Sequence, residues 1–318
     1  MENIIDPISK DLLRAELTPD KLLRATNKAN NELYVITHHN APNTMLEIGR
    51  LREEAYRFSG GGTGQSTDID IYDTMENPYK QLIVWNPEKE EIMGGYRYIH
   101  GKDVKQNENG KLGLSSSHLF AYSELFIEDY LPYTIELGRS FVTVGYQSSL
   151  AGSKALFVMD NLWDGLGALI VVYPDLKYFF GKVTMYPNFG EEGRNMILYF
   201  LNKHFPDPER IIYPLHSLKT NMNLPELSKL FIGGDFKENY RILNTHVRNL
   251  SRNIPPLVNA YMNLSPTMRV FGTCINDEFG NVEETGIMIN VGEIFAEKRD
   301  RHIETYIDEL KVKGIRLD

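Results

Sequence analysis

The order of its hydrophobic segments constrains this chain more than any other feature. From Tyr133 to Val144 it reads as a strand, and Gln147–Ser153 then leads into a helix carrying Leu156, Met159, Leu162, Trp163, Leu166 and Ile170. After Pro174 comes a strongly apolar strand, Tyr178–Met185, and a helix with Met196, Ile197, Phe200, Leu201 and Phe205 in phase. Upstream, residues 8–30 read as a short helical lead-in and Leu33–Thr37 as a first strand. Asn43 or Thr44 is placed to cap a helix bearing Leu46, Ile48, Leu51, Ala55 and Phe58. Two further strands, Gln81–Trp85 and Ile92–Ile99, flank the turn-like Asn86-Pro87-Glu88-Lys89, and the polar, Gly/Ser-rich residues 101–117 read as a loop. Residues 206–266 are punctuated by prolines and hold short helical pieces, the clearest being Phe236–Leu250. The chain closes with strands near Met268–Asn276 and Thr285–Val291 and a charged helix from Glu293 to about Lys311. Mostly antiparallel pairing with helices on both faces fits this order, giving an α+β (mixed α/β) domain.

Charge and cysteine content narrow the function. The 318 residues carry 34 basic and 43 acidic side chains, a net charge of −9, which disfavours a nucleic-acid partner. A lone cysteine, Cys274, excludes an internal disulfide and any multi-cysteine metal site, in keeping with a reducing cytoplasm. The first residues, Met1-Glu2-Asn3-Ile4-Ile5-Asp6, do not read as a signal peptide, and the longest apolar run, Leu166–Tyr173, is far short of the ~20 residues that span a bilayer. The expected location is the cytoplasm, free or resting on the inner membrane face.

Three polar clusters stand out from these surroundings. Asp68, Asp70 and Asp73 follow the glycine run Gly60–Gly64; they suit an ammonium group, Mg²⁺, or plain turn chemistry. The glycine run is no P-loop, since no Lys-Ser/Thr follows it, and reads as a linker or a lid. Arg97 lies in Gly94-Gly95-Tyr96-Arg97-Tyr98, and Glu136 and Arg139 lie in Ile135-Glu136-Leu137-Gly138-Arg139-Ser140-Phe141-Val142. A regular strand sends Glu136 and Arg139 to opposite faces. For both to serve one site a bulge must re-aim one of them, and Gly138 is the residue expected to form it. Otherwise the two simply form ion pairs in a half-buried sheet. The pair His38-His39 has no third ligand nearby, and no metal site is expected.

Taken in order, Arg50/Arg52 with Tyr56 and Phe58, Asp68-x-Asp70-x-x-Asp73, Gly95-Tyr96-Arg97 and Glu136-x-x-Arg139-x-Phe141-Val142 resemble the signature of acyl-homoserine-lactone synthases. The phrase Glu136–Val142 and the helix with Leu162-Trp163 are more similar to the hemolysin-like N-acyltransferases that make ornithine or glycine lipids. The resemblance spans about residues 30–205. It implies a GCN5-related N-acyltransferase fold, with a lead-in over 1–30, an acyltransferase core over 31–205, a helical insertion over 206–266, and strands and a helix over 267–318 completing the core.

In that fold two parallel strands, here Tyr133–Val144 and Tyr178–Met185, splay apart around a phosphopantetheine arm, joined by a right-handed crossover. The resemblance implies Phe141, Val142, Val144, Gln147, Ser148, Ser149, Gly152 and Ser153 as donor-binding residues, with the loop Gln147–Ser153 opening the helix N-terminus toward the phosphate. The loop lacks the glycine density of an acetyl-coenzyme A loop, which favours acyl carrier protein over coenzyme A as the source of the acyl-phosphopantetheine co-substrate. No tightly bound cofactor is implied.

The implied reaction moves a fatty or 3-hydroxyfatty acyl group from carrier protein to the amine of a small amino acid, glycine or ornithine, in aminolipid synthesis. Glu136 is the expected general base, with Asp70 and Asp73 orienting the amine or a covering loop. Arg97 and Arg139 hold the acceptor carboxylate or brace those acids. Leu243, Val247, Leu257 and Met262 in the insertion are expected to wall an acyl pocket. The alternatives are a homoserine-lactone-type synthase acting on S-adenosylmethionine and a non-catalytic module that binds acyl chains or carrier protein. A membrane O-acyltransferase is disfavoured, because none of the eight histidines has an aspartate beyond four intervening residues.

Overall fold

The computed structural model describes residues 1–107, 110–147 and 153–315, with the backbone alone for 153–156. An eight-stranded sheet runs through the molecule. Its strands are β1 (Leu22–Ala25), β2 (Glu32–Ile36), β3 (Lys80–Asn86), β4 (Glu91–His100), β6 (Thr134–Val142), β7 (Tyr178–Met185), β9 (Arg269–Asn276) and β10 (Val282–Asn290), in the order β1-β2-β3-β4-β6-β7-β10-β9. A two-stranded ribbon pairs β5 (Phe120–Tyr122) with β8 (Ile212–Pro214). All neighbours in the large sheet are antiparallel except β6 and β7. The helices are α1 (Lys10–Glu16), α2 (Pro42–Ser59), α3 (Ile71–Thr74), α4 (Ser153–Val172), α5 (Glu191–His204), α6 (Leu224–Leu230), α7 (Phe236–Asn249), α8 (Pro256–Met262), α9 (Ala296–Arg299) and α10 (Thr305–Val312).

The expected mixed, mostly antiparallel sheet is present, and α4 is the crossover between the parallel pair. Strand alternation sorts the residues onto two faces. Leu82, Val84, Leu137, Phe179 and Ile287 meet α4, α5 and α8 in the largest core cluster, whereas Tyr34, Ile36, Ile83 and Trp85 pack under α2.

Several local expectations fail for identifiable reasons. Residues 8–30 are not one helical lead-in: Leu22–Ala25 pairs with β2 as the edge of the sheet. Neither Asn43 nor Thr44 caps α2; Pro42 is its first residue, and the carboxylate of Glu16 accepts from the Asn43 and Thr44 backbone N–H groups at 3.0 and 2.7 Å. The glycine run is neither linker nor lid. Its Thr63 and Gly64 N–H groups donate to the buried Glu53 carboxylate at 3.0 and 2.7 Å, so it wraps a charge at the end of α2. Within residues 206–266, Leu243, Val247 and Met262 are buried in the main cluster with Ile197 and Phe200 of α5.

The C-terminal helices lie directly on α4. A Cβ added at Gly167 would stand 2.2 Å from the His302 carbonyl oxygen, so only glycine permits this approach. His302 Nδ1 lies 2.7 Å from Asp164 Oδ1 across the same seam. Gly167→Ala must therefore push backbone off backbone, and a loss of about 1–3 kcal/mol in urea-unfolding free energy is expected, the usual span for overpacking. An unchanged midpoint would show that the seam yields freely.

Candidate active site

Sheet pairing brings the polar clusters together. Gly95 lies opposite Phe141 but Arg97 opposite Gly138, so β6 carries one residue more than β4 over this stretch. The expected bulge exists, but Gly138 does not make its strained turn. Arg139 does, with φ at +49°, a conformation that disfavours side chains other than Gly, Asn or Asp. The extra residue reverses the parity of the strand and turns Arg139 toward the side of Glu136 and Arg97.

Three arginines and three aspartates interlock there. Arg97 Nη1 donates to Asp70 Oδ2 at 2.7 Å and Asp73 Oδ2 at 3.2 Å. Arg52 Nη1 lies 3.3–3.4 Å from both Asp73 oxygens, and its Nη2 donates to Gln81. Arg139 Nε sits 3.1 Å and 2.8 Å from the two Asp68 oxygens. Asp70 also caps α3, accepting from Tyr72 N and Asp73 N at 2.9 and 3.3 Å, while its own N–H donates back to Asp73. Asp70 and Asp73 thus act as turn acids at α3, and with Asp68 they pair with the three arginines. Burial alone would raise the Asp73 carboxyl; Arg97 and Arg52 outweigh it and hold the group at about 2. Burial does raise Asp68, with Arg139 opposing.

Glu136 departs from its expected place. It is 3% exposed and does not line the adjacent cavity. Its Oε1 accepts from Ser116 N at 3.1 Å and from the Ser116 hydroxyl; its Oε2 accepts from Ser115 N at 3.1 Å, Ser115 Oγ at 3.3 Å and the Tyr79 hydroxyl. Those donors fill the lone pairs of both oxygens. Glu136 therefore fixes the buried 115–117 loop and has no free oxygen for an incoming amine.

β6 and β7 pair only from Thr134↔Tyr178 to Glu136↔Phe180, then diverge. A cavity of about 820 Å³ opens in the fork. Leu137, Phe179, Ile287 and Ile289 line it from one face of the sheet, and Arg97, Gly138, Phe180 and Lys182 from the other, so it passes through the sheet. Among the expected donor residues, Phe141, Val142 and Gln147 line it, and Gln147 Nε2 donates to the Val142 carbonyl at 2.6 Å. Val144 does not: it opens a 3₁₀ turn and packs with the α2 cluster. Ser148, Ser149 and Gly152 lie outside the described residues, as does the side chain of Ser153, the first residue of α4. Leu257 of α8 lines the cavity, beside Pro255, Pro256 and Tyr261, whereas Leu243, Val247 and Met262 do not. Sequence reading also missed Tyr79, Ser115, Ser116 and Glu284. For the serines a signal existed, a hydroxyl run between Leu114 and Leu119-Phe120, which argues for burial; for Glu284 there was none.

A sheet that forks between two parallel strands, bulged beside the fork, defines an acyltransferase of the GNAT class, and residues 51–155 match the acetyltransferase (GNAT) domain family. The chain is 65% identical over 308 residues to a glycine N(alpha)-acyltransferase of Bacteroides thetaiotaomicron, covering 97% of this chain and 91% of that one. It is 62% identical over 309 residues to the same enzyme of Phocaeicola vulgatus, covering 97% and 95%. The chain belongs to this family of glycine N-acyltransferases. It is an enzyme, an N-acyltransferase acting on an amino acid, which sets aside the reading as a non-catalytic module. Among solved structures, FeeM, an N-acyl amino acid synthase from uncultured soil microbes, aligns over 87% of this chain and 97% of its own at 9% identity, with a TM-score of 0.39. No helix among the described residues is long and apolar enough to cross a membrane.

Replacing Asp73 by Asn leaves Arg52 and Arg97 short of a buried partner, at about 3–5 kcal/mol of stability. The folded value of Asp73 lies below its ordinary 3.8. Its contribution is therefore full above 3.8 and fades as pH falls toward about 2. The difference in unfolding free energy between wild type and Asp73→Asn should shrink across that window, and a constant difference would remove the charge from the argument.

Proposed function

We propose that this protein acylates glycine, taking a fatty or 3-hydroxyfatty acyl group from the phosphopantetheine thioester of an acyl carrier protein, as a step of aminolipid synthesis. The single observation that carries this reading is the cavity through the forked sheet, which is basic on one face and apolar on the other. Such a channel suits a product with a carboxylate head and an alkyl tail. Glycine as acceptor rests on the activity of the two relatives.

Arg97 is 2% exposed and its Nε makes no hydrogen bond among the described residues. It faces Gly138, where a Cβ would stand 3.4 Å away. That N–H, with Arg139 and Lys182 on the same cavity, supplies donors for the acceptor carboxylate, while Asp70 and Asp73 act on it through Arg97. Past Glu136 and Phe180 the facing edges of β6 and β7 no longer pair, so backbone N–H groups beside Phe141 and Val142 are available to the oxyanion that forms when the amine attacks.

The apolar arm takes the chain at about 0.8 kcal/mol for each buried CH₂. Tyr96, Ser140 and Tyr261 bring hydroxyls into that arm, a fit for an oxygen substituent on the acyl group.

The test combines purified protein, acyl carrier proteins loaded with chains of graded length, and a panel of amino acids, with products weighed by mass spectrometry. N-acylglycine is expected to dominate; equal kcat/KM for other amino acids, or hydrolysis alone, overturns the assignment. Leu257→Trp should move the optimum toward shorter chains while sparing short-chain turnover. A uniform loss across all lengths would place the chain elsewhere.

A further inference from the structure

With Glu136 enclosed by its own donors, a different carboxylate faces the reactants. Glu284 on β10 is the one acidic side chain among the described residues that line the cavity. It is 4% exposed and stands opposite Thr184 on β7 and Cys274 on β9. The Thr184 hydroxyl donates to its Oε2 at 3.1 Å and the Asn276 amide to its Oε1 at 3.4 Å. A carboxylate has about four acceptor positions, so these two bonds leave each oxygen free to accept again. Glu284 thus presents the open lone pairs that Glu136 lacks, in the cavity that Arg97, Gly138 and Lys182 share.

The groups around it do not compete for its task. Tyr186, just past the end of β7, and Cys274 on β9 feel its charge. Burial pushes the Cys274 thiol up to about 12 and raises the Tyr186 phenol, so both stay protonated near neutral pH. Cys274 lies outside the cavity lining, which leaves a direct transfer from thioester to amine.

We propose that Glu284 is the proton acceptor of the transfer, an assignment that rests on the reading of an amino acid as acceptor. The acceptor arrives as an ammonium ion and gives one proton to the Glu284 carboxylate, which passes it to solvent. The freed nitrogen forms the C–N bond at the thioester carbonyl carbon. As the tetrahedral intermediate collapses the C–S bond breaks, and the second nitrogen proton leaves with the departing sulfur as thiol. The third stays on the amide.

The experiment compares wild type, Glu284→Gln and Glu136→Gln on two acceptors, glycine and aminooxyacetate. Aminooxyacetate carries the same carboxylate with one oxygen inserted between its CH₂ and the nitrogen, and its amino group is already neutral at pH 7. Glu284→Gln is expected to lower kcat on glycine by ~10²–10⁴, the span of a lost general base, with little change in KM. Turnover should recover as rising pH deprotonates glycine unaided, and the rate on aminooxyacetate should stay close to wild type. Glu136→Gln is expected to lower both acceptors alike and to lower the Tm. Equal losses on the two acceptors for Glu284→Gln, or near-normal turnover on glycine, overturn the assignment.

Thr184→Val provides a second reading should Glu284→Gln fold poorly. Without the Thr184 hydroxyl the Glu284 carboxylate loses the donor that orients it, so kcat on glycine should fall while the rate on aminooxyacetate stays close to wild type; equal losses on both acceptors count against Glu284. If wild type acylates another amino acid in place of glycine, the proposed acceptor falls, and the same comparison on that amino acid still judges Glu284.

Discussion

Everything about this molecule depends on a hydrogen-bonded seam that stops early. β6 and β7 pair over three positions and then separate, although each stays paired on its other side, to β4 and β10. Inner strand edges left open expose backbone donors and acceptors that folding otherwise satisfies. The fold tolerates the opening because it is walled elsewhere: α4 crosses one face, α8 closes its apolar arm, and α2 bounds the polar side through Ala55, Tyr56 and Ser59.

The interlocked charges stand beside this opening and give it shape. Arg52, Arg97 and Arg139 balance Asp68, Asp70 and Asp73, so the cluster carries no net charge, though Arg52, Asp68, Asp73 and Arg97 are buried. Buried pairs of this kind add little to stability over an apolar replacement. Their geometric effect is more direct. Asp70 and Asp73 hold the Arg97 head group while its Nε faces Gly138 of the cavity wall, and Asp68 pairs with Arg139, whose backbone stands at φ +49°.

Local pattern carried much of this architecture. Tyr178–Met185 is a strand with the boundaries its apolar run implies, because a buried strand needs continuous hydrophobicity and Pro174 punctuates what precedes it. The need for a bulge followed from parity alone, since 136 and 139 cannot share a face without one. Which residue bends did not follow: glycine bends most cheaply, but Arg139, paired with Asp68, takes the positive φ. The surroundings of Glu136 were hidden for a related reason. A Glu-x-x-Arg phrase shows that a carboxylate is near, whereas its lone pairs are filled by Tyr79, Ser115 and Ser116, dozens of residues away or in a loop. Leu243, Val247 and Leu257 likewise read alike as apolar residues of the 206–266 segment, but only packing decides that the first two join the core with α5 and the third lines open space.

A passage through a sheet differs from a pocket in its surface. A molecule lodged with its head on one side and its tail on the other straddles the sheet as a thread lies in the notch of a comb. Hydrogen-bonded strands close the notch at its base, where Thr134–Glu136 meets Tyr178–Phe180. Neither end of such a molecule can be drawn across without pulling the other through the gap. Loading and unloading therefore have a direction set by topology, along the strands and toward the end where Val142 leads into the turn at Val144–Tyr146.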